Sequence, residues 1–292
     1  LQRRVYAEAP TRTGRRELVV DLYRPMEGPV KGAVVVMHGG GFTESYVDIG
    51  ENKVYGQSLA QRGYLAAAIA FRSVEDEPAV SGWAEEYAAV VRGLGDPRVD
   101  AAVEELGPAF PDAVAAAGVD LVTAVRWLRS RAGELGFDPG RVAVFGASSG
   151  SVSAITTAYA MELYGEGNLE VAAVIDLRGL LLRAEGAGNP FRPDDPPLLM
   201  LHGEEDRSFR LPEVEAFFQL ARDAGAPVQL YTSPEHGHEL GGPGLLALRV
   251  DGKETVLDRI DAFLEAAFRG EGMPGGSLRG RLLPAEGAGS QP

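Results

Sequence analysis

The sequence predicts an α/β fold in which a mostly parallel central sheet carries helices on both faces. Short apolar or β-branched runs alternate with longer segments of helical period along the chain, and this alternation is typical of sheets built from strand–helix–strand units. Several of the runs are apolar without alternation, as expected for strands that are covered on both faces. A chain of 292 residues is long enough to bury a sizeable core around such a sheet.

Seven segments have the composition of strands, and they lie at residues 18–23, 33–38, 64–71, 141–145, 171–177, 197–202 and 228–232. Between them, apolar residues repeat at i, i+3, i+4 and i+7 from Leu121, from Val214 and from Ile260, which predicts three amphipathic helices. The second of these helices has Pro212 near its first turn and ends at Gly225, both favoured positions.

Residues 1–270 are predicted to form a single domain, because the sequence shows neither an internal repeat nor a linker between domains. Residues 271–292 are rich in Gly and Pro, and we expect this tail to be disordered. Two excursions interrupt the regular pattern. Residues 73–111 carry acids, Gly, Pro and Trp83 and predict an irregular helical cover, whereas residues 177–195 are too few for a full lid.

Composition excludes several classes of function. Lys and Arg number 28 against 42 Asp and Glu, so the net charge of −14 disfavours binding to nucleic acid and to anionic membranes. The chain contains no Cys, which excludes disulfides, thiolate metal sites and a cysteine nucleophile. No stretch reaches the run of about 18 apolar residues that a membrane span needs. We expect a soluble protein, secreted or cytoplasmic, since a start at Leu1 is compatible with a removed signal peptide.

The strand predicted at 141–145 is followed by the run GASSG at 146–150 and by a predicted helix through 154–164. A G-x-S-x-G run in this context places a nucleophilic serine on a sharp strand-to-helix turn, whose backbone leaves room only for small neighbours. The N-terminus of the following helix favours the negative charge of a tetrahedral oxyanion. Ser148 is therefore the candidate nucleophile, and a Gly/Ser turn that merely caps a helix is the alternative.

A second motif, HGGGF at 38–42, follows the strand predicted at 33–38. Three glycines allow backbone N–H groups to face a cavity, and a Gly-rich loop after this strand is where an oxyanion hole draws its second donor. A phosphate-binding loop is disfavoured, because no Lys-Ser/Thr pair follows and this loop does not have the spacing G-x-G-x-x-G. A plain Gly-rich turn is the other alternative.

An acid and a histidine are expected after the serine, in the order Ser, Asp/Glu, His. Asp206 lies in the acidic loop that follows the strand at 197–202, where it would accept a hydrogen bond from an imidazole and fix its tautomer. Asp176, at the end of an earlier predicted strand, is the second candidate acid. We expect Glu204 and Glu205 to be solvated.

The chain contains four histidines, so the choice of general base is narrow. His38 and His202 end predicted strands at His-Gly turns and are expected to be structural. His236 and His238 lie in the loop after the last strand, where the base belongs, and position and loop context favour His238. Use of this His-x-His pair as a metal site is disfavoured, since the chain has no Cys and no second histidine cluster.

With these pieces the chain resembles the α/β-hydrolase superfamily, in particular the short carboxylesterases with an HGGG oxyanion loop, which include hormone-sensitive-lipase-like and acetylxylan or feruloyl esterase-like enzymes. The resemblance covers about residues 17–268 and implies a small or minimal cap. It rests on DLYRP at 21–25, HGGGF at 38–42, RGY at 62–64, FR at 71–72, DPGR at 138–141, the G-x-S-x-G run, LHG at 201–203 with Asp206, and the final histidine loop.

The resemblance implies Ser148 as nucleophile, Asp206 as acid, His238 as base, and an oxyanion hole formed by the amides of Gly40, Gly41 and Ser149. The family's histidine loop usually reads Pro, two small residues, Gly, His, and residues 234–238 keep that count. Two departures leave the substrate class open. Relatives often show Ser-Ala-Gly-Gly where this chain has SSGS at 148–151, and lid-bearing members carry a larger cap.

The predicted function is a carboxylesterase that acts by two-step acyl transfer, without a cofactor, on short-chain or bulky esters of aryl, sugar-linked or polyester-like type. Its expected partner is a small-molecule or polymeric ester, and its oligomeric state is left open. Phe42, Tyr46, and Trp83 or Tyr87 are expected either to line the substrate pocket or to belong to the core.

Two other functions stay open. One is a serine peptidase resembling the catalytic domain of prolyl oligopeptidases, although such relatives usually carry an additional N-terminal domain and only about 16 residues precede the first predicted strand here. The other is a non-catalytic hydrolase-fold binding protein, which is disfavoured because competent chemistry occupies every triad position.

Overall fold

This computed structural model describes residues 1–43, 45–184, 186–271, 273 and 278–284, and those residues contain one eleven-stranded sheet. The strands are β1 (Gln2–Thr11), β2 (Gly14–Tyr23), β3 (Ala33–Met37), β4 (Leu65–Ile69), β5 (Val142–Ala147), β6 (Ala173–Leu177), β7 (Leu198–Gly203), β8 (Val228–Ser233), β9 (Arg249–Val250), β10 (Glu254–Thr255) and β11 (Leu278–Leu283). Their order across the sheet is β1-β2-β4-β3-β5-β6-β7-β8-β11-β9-β10. The seven predicted strands correspond to β2 through β8.

Helices cover both faces of this sheet. They are α1 (Gly50–Gln61), α2 (Trp83–Arg92), α3 (Pro97–Leu106), α4 (Phe110–Ser130), α5 (Ala132–Leu135), α6 (Ser149–Ile155), α7 (Leu211–Asp223) and α8 (Val256–Phe268). Every residue of β3 is buried, and its side chains alternate between two cores. Val35 packs in the core that contains Leu121 of α4, whereas Val34 packs in the core that contains Ile260 of α8. The predicted fold class is therefore confirmed.

The pairing of the strands gathers the predicted site residues at one edge. β3 pairs in parallel with β4 and β5, and the parallel pairing continues through β6, β7 and β8, while β1 and β2 are antiparallel. Met37 lies opposite Gly146, and Gly146 lies opposite Asp176. The carboxyl ends of β3, β5, β6 and β7 therefore meet, which is where ligands bind in open α/β sheets.

The tail departs from its prediction over Leu278–Leu283, which forms strand β11 instead of a disordered segment. β11 pairs in parallel with β8, and Leu282 is fully buried. Gly280 lies against the ring of Tyr231, where a Cβ would come within 2.6 Å of Cε1. The glycine of this tail thus permits a close approach between strands. Residues 272, 274–277 and 285–292, to which the same prediction applied, lie outside the described residues.

The segment 73–111 forms a helical cover that consists of a 3₁₀ turn at Val74–Asp76 and the helices α2 and α3. Tyr87 of α2 is buried, and its hydroxyl lies 3.1 Å from Thr156 Oγ1, so this side chain belongs to the core. At the start of the cover, the buried Arg72 guanidinium pairs with the buried carboxylate of Asp120 on α4 at 2.7 Å.

Within the described residues, no single helix is long and apolar enough to cross a membrane. α3 and α4 satisfy that test only as a pair, and they meet at a bend of 100°.

Candidate active site

Ser148 is the single residue between β5 and α6, and it forms a sharp turn with φ 49° and ψ −113°. Residues with a side chain rarely adopt this conformation, and it is held by a hydrogen bond of 2.9 Å from the Ser148 N–H to the Leu177 carbonyl of β6. A Cβ at Gly146 would lie 2.6 Å from the Gly150 carbonyl oxygen, and a Cβ at Gly150 would lie 2.8 Å from the carbonyl oxygen of His38. These approaches explain why both neighbours of the turn are glycines.

Three side chains distant in sequence form a hydrogen-bonded chain at this turn. Ser148 Oγ lies 2.9 Å from His238 Nε2, and His238 Nδ1 lies 2.8 Å from Asp206 Oδ2. The carboxylate is fully buried, the imidazole is 25% exposed, and Ser148 is partly buried. The structure therefore brings together the serine, histidine and acid that the sequence favoured. Of the two ends of this hydrogen-bonded chain, the aspartate is buried and the serine is partly exposed.

The Asp206 carboxylate is oriented by backbone donors as well as by the imidazole. Its Oδ1 accepts hydrogen bonds from the N–H groups of Ser208 at 2.7 Å and of Phe209 at 3.0 Å. Burial acts to raise the pKa of Asp206, but the hydrogen bonds from His238 and from the Phe209 amide outweigh it, and the pKa lies below the usual value. Asp206 is consequently ionised at neutral pH.

His202 supports the same loop without contacting Ser148. Its Nε2 donates to the carbonyl of Phe209 at 2.8 Å and lies 3.5 Å from Asp206 Oδ2. Burial lowers the pKa of the His202 imidazole below its usual value, so the ring is neutral at pH 7. His202 has the structural role that its His-Gly turn predicted.

His38 is also part of the scaffold. Its Nδ1 bonds to the Gly39 carbonyl and its Nε2 lies 2.8 Å from Ser45 Oγ, while the ring stacks on Phe71 with centroids 4.7 Å apart. Burial lowers the pKa of His38. This histidine thus fixes the start of the glycine loop rather than facing the serine.

The second candidates for base and acid have other partners. His236 Nδ1 lies 2.6 Å from Ser233 Oγ. Asp176 is buried, and its Oδ1 accepts the N–H of Gly179 at 2.8 Å. Burial raises the pKa of Asp176 to about 7, so this carboxyl is far less ready than Asp206 to carry a negative charge.

The glycine loop lies directly against the serine turn. A Cβ at Gly39 would come within 3.0 Å of Ser148 Cβ, a tighter contact than most side chains make, so glycine favours this approach. Gly40 and Gly41 have φ values of 117° and 64°, which favour glycine. Ser149 is the first residue of α6. The loop and the first turn of the helix therefore meet at the serine.

The two aromatic side chains expected near this loop have different environments. Phe42 is only 3% exposed and packs edge-on against Phe71 and Phe110, with ring centroids 6.5 and 6.1 Å away. It belongs to the core, which is one of the two roles the sequence left open. Tyr46 is half exposed, with its hydroxyl 3.4 Å from Glu75 Oε2, and stays a candidate for lining the pocket.

Sequence reasoning missed Ser208 and Phe209. The Phe209 ring lies 6.0 Å from the imidazole of His238, centroid to centroid, in addition to the amide contact with Asp206. An aspartate that accepts the N–H groups two and three residues later forms an Asx turn. That local pattern was the available signal, because Asp206 precedes a serine at i+2.

Comparison with known proteins bears on the fold. No family model and no curated protein matches the sequence. Solved structures of esterase 2 from Thermogutta terrifontis are similar. The form phosphoramylated by tabun has a TM-score of 0.63 and 19% identity, over 94% of this chain and 96% of that one. The apo form has a TM-score of 0.60 and 20% identity over 91% of each chain, and the form phosphorylated by paraoxon has a TM-score of 0.60 and 20% identity over 82% and 84%.

At these identities the likeness is one of architecture. Both the order of the strands and the helices on the two faces agree with it. The chain has the α/β-hydrolase fold, in common with these esterases.

Proposed function

We propose that this chain is a serine carboxylic-ester hydrolase of the short HGGG type and that it works through an acyl-enzyme. The observation that carries the proposal is the pair of hydrogen bonds from Ser148 Oγ to His238 Nε2 and from His238 Nδ1 to Asp206 Oδ2, at 2.9 and 2.8 Å. Such a chain activates a hydroxyl that is otherwise a weak nucleophile.

Acylation follows from this geometry. His238 Nε2 takes the proton of Ser148 as Oγ attacks the ester carbonyl carbon, and the π electrons of the carbonyl move to its oxygen. Asp206, which stays ionised, stabilises the imidazolium. The tetrahedral intermediate then expels the alcohol oxygen, which receives the proton from His238. In deacylation, His238 takes a proton from water as the water oxygen attacks the acyl carbon. The second tetrahedral intermediate breaks its bond to Ser148 Oγ, which receives that proton from His238, and the carboxylic acid leaves.

We assign the oxyanion to the amides of Gly40, Gly41 and Ser149. The support is positional, since Gly39 packs against the Cβ of Ser148 and Ser149 opens α6. Donors that are already in place when charge develops are the largest single contribution in many acyl-transfer enzymes.

The proposed substrates are short-chain esters and bulky aryl, sugar-linked or polyester-like esters. Ser148 is partly exposed, which supports access by bulky groups. The similar esterase from Thermogutta terrifontis has been solved with propionate and with butyrate bound, so short acyl groups are the first to test on this chain.

The test is hydrolysis of p-nitrophenyl acetate by the purified protein and by Ser148→Ala. We expect the substitution to lower kcat by at least about three decades, the scale of losing a triad nucleophile. Ser153→Ala is the matched control and should keep wild-type turnover. Ser153 is a buried serine of α6, the helix that begins directly after Ser148, and its hydroxyl donates to the Ser149 carbonyl at 3.4 Å. Undiminished hydrolysis by Ser148→Ala would reject the proposal.

Two further comparisons refine it. His238→Ala should abolish turnover, while His236→Ala should retain it, because His236 is bonded to Ser233; the reverse result would reassign the base. An acyl ester assayed beside an aminoacyl amide of matched size separates esterase from peptidase, and faster cleavage of the amide would favour the peptidase.

A further inference from the structure

The helical cover contacts the loop that carries Asp206 through Arg98 of α3. The Arg98 guanidinium donates to the Ser208 carbonyl at 2.9 Å and lies over the Phe209 ring, 5.5 Å from its centroid. It also pairs with the Glu213 carboxylate at 3.3 Å, at the start of α7. A single side chain of the cover thus contacts three residues that follow the acid.

The guanidinium is also held by Asp96, at the start of its own helix. Asp96 is the N-cap of α3 and accepts the Arg98 backbone N–H at 2.9 Å. The same carboxylate accepts Arg98 Nε at 2.9 Å, and the arginine side chain is 35% exposed. Because one carboxylate caps the helix and binds the guanidinium, Arg98 is also held by contacts within the helix end and not only by the loop.

Phe209 transmits this contact to the proposed triad. Its N–H donates to Asp206 at 3.0 Å, its carbonyl accepts from His202 at 2.8 Å, and its ring lies 6.0 Å from that of His238. A shift of residues 208 and 209 would therefore turn the Asp206 carboxylate and remove the aromatic ring beside the imidazole. The hydrogen bond from the Arg98 guanidinium to the Ser208 carbonyl and its contact with the Phe209 ring both oppose such a shift.

We propose that Arg98 is a positioning residue for the reaction proposed above, holding the 206–209 loop so that Asp206 and Phe209 orient the imidazole of His238. This inference rests on the proposed function and assigns a role to the cover. Arg98 has no hydrogen bond to Ser148 or to the imidazole, and besides its contacts with the loop it interacts electrostatically with Asp206. We assign its effect to the orientation of the acid–base pair.

A matched control exists on the same cover. Arg92 of α2 pairs with Asp112 on α4, and its side chain is 48% exposed. Arg92→Met removes an arginine ion pair from the cover just as Arg98→Met does, but at a position that packs against α4. The comparison separates general support of the cover from an effect on the loop.

The first experiment measures kcat and KM for p-nitrophenyl acetate. Arg98→Met should lower kcat by about 10- to 100-fold, the range that misplacement by up to about 1 Å produces, with KM unchanged. Arg98→Lys should recover part of the loss, because an ammonium group keeps a donor for the Ser208 carbonyl and a charge over the Phe209 ring. Arg92→Met should match wild type, and equal kcat values for the two Met variants would overturn the proposal.

The second readout does not need activity. The Nδ1–H of His238, bonded to Asp206, should give a downfield proton NMR resonance that is absent from His238→Ala. We expect this resonance to shift or broaden in Arg98→Met and to stay unchanged in Arg92→Met. If the wild-type protein hydrolyses the ester and the resonance is unchanged in Arg98→Met, the proposed function stands and the positioning role is refuted. If the wild-type protein does not hydrolyse the ester but the resonance shifts or broadens in Arg98→Met, the proposed function is refuted. The role of Arg98 in orienting the imidazole is then retained.

Discussion

Asp206→Asn changes only one atom of the proposed triad, yet it should disable the base. Oδ1 of Asp206 accepts two backbone N–H groups, from Ser208 at 2.7 Å and from Phe209 at 3.0 Å. The asparagine carbonyl oxygen must occupy that position, because an NH₂ group cannot accept hydrogen bonds. The NH₂ then takes the place of Oδ2, 2.8 Å from His238 Nδ1.

A donor at that place forces His238 into the tautomer with its proton on Nε2. This nitrogen faces Ser148 Oγ at 2.9 Å and can no longer accept the serine proton. The wrong tautomer costs about 10⁴ in kcat in triads of this kind, which is about 5.5 kcal/mol of activation free energy at about 1.4 kcal/mol per decade. The shape of the side chain is retained, so the loss belongs to the chemical step.

The assay is steady-state hydrolysis of p-nitrophenyl acetate, with Asp176→Asn as the control. Asp176 is the other buried acid at this edge of the sheet, bonded to Gly179, and its substitution should leave kcat within about threefold of wild type, well below the tenfold that 1.4 kcal/mol would give. An Asp206→Asn variant that turns over normally, while Asp176→Asn is inactive, would refute the tautomer argument and move the acid to residue 176.

Three other substitutions test the scaffold by urea unfolding. Gly150→Ala places a Cβ 2.7 Å from Met37 Cβ and should cost about 1–3 kcal/mol of stability; an unchanged midpoint would contradict this packing. Asp120→Ala strands the buried Arg72 guanidinium and should cost about 3–5 kcal/mol, with partial recovery in the double variant Arg72→Met/Asp120→Ala; no recovery would contradict it. Burial raises the folded-state pKa of Asp176 to about 7, so its contribution to stability is complete below about pH 4 and is lost as the pH rises through 7. Relative to wild type, the stability of Asp176→Asn should therefore rise from about pH 4 to about pH 7 and then level off. Parallel curves would contradict the shift.

The strands predicted from the sequence are mainly those whose burial requires a run of apolar residues. β3 through β8 are buried along their length, so they appear as continuous apolar runs. β1 was missed because it is a mostly exposed edge strand whose two buried residues, Tyr6 and Ala9, are three positions apart, so it lacks the two-residue alternation of a strand. α1 was missed because its buried face includes Asn52 and Gly56, and Gly56 packs against the Tyr23 ring. Neither residue contributes to an apolar period.

The same distinction applies to the site. Ser148 and His238 are marked by local patterns, namely the glycines around the turn and the spacing of Pro, Gly and His in the loop at 234–238. Arg98 has no such mark, since its partner Ser208 lies 110 positions further along the chain. Residues of this kind are found from coordinates, because their role depends on which elements the fold places side by side.

Strand β11 has a consequence for how the chain is handled. A protein cut after residue 270 would keep Ser148, Asp206 and His238, but it would lose the partner that covers the outer side of β8. The backbone groups of β8 that now bond to β11 would then be open to a strand from another molecule. A shortened protein made to remove the glycine-rich end would thus tend to aggregate, even though it keeps the residues of the proposed triad.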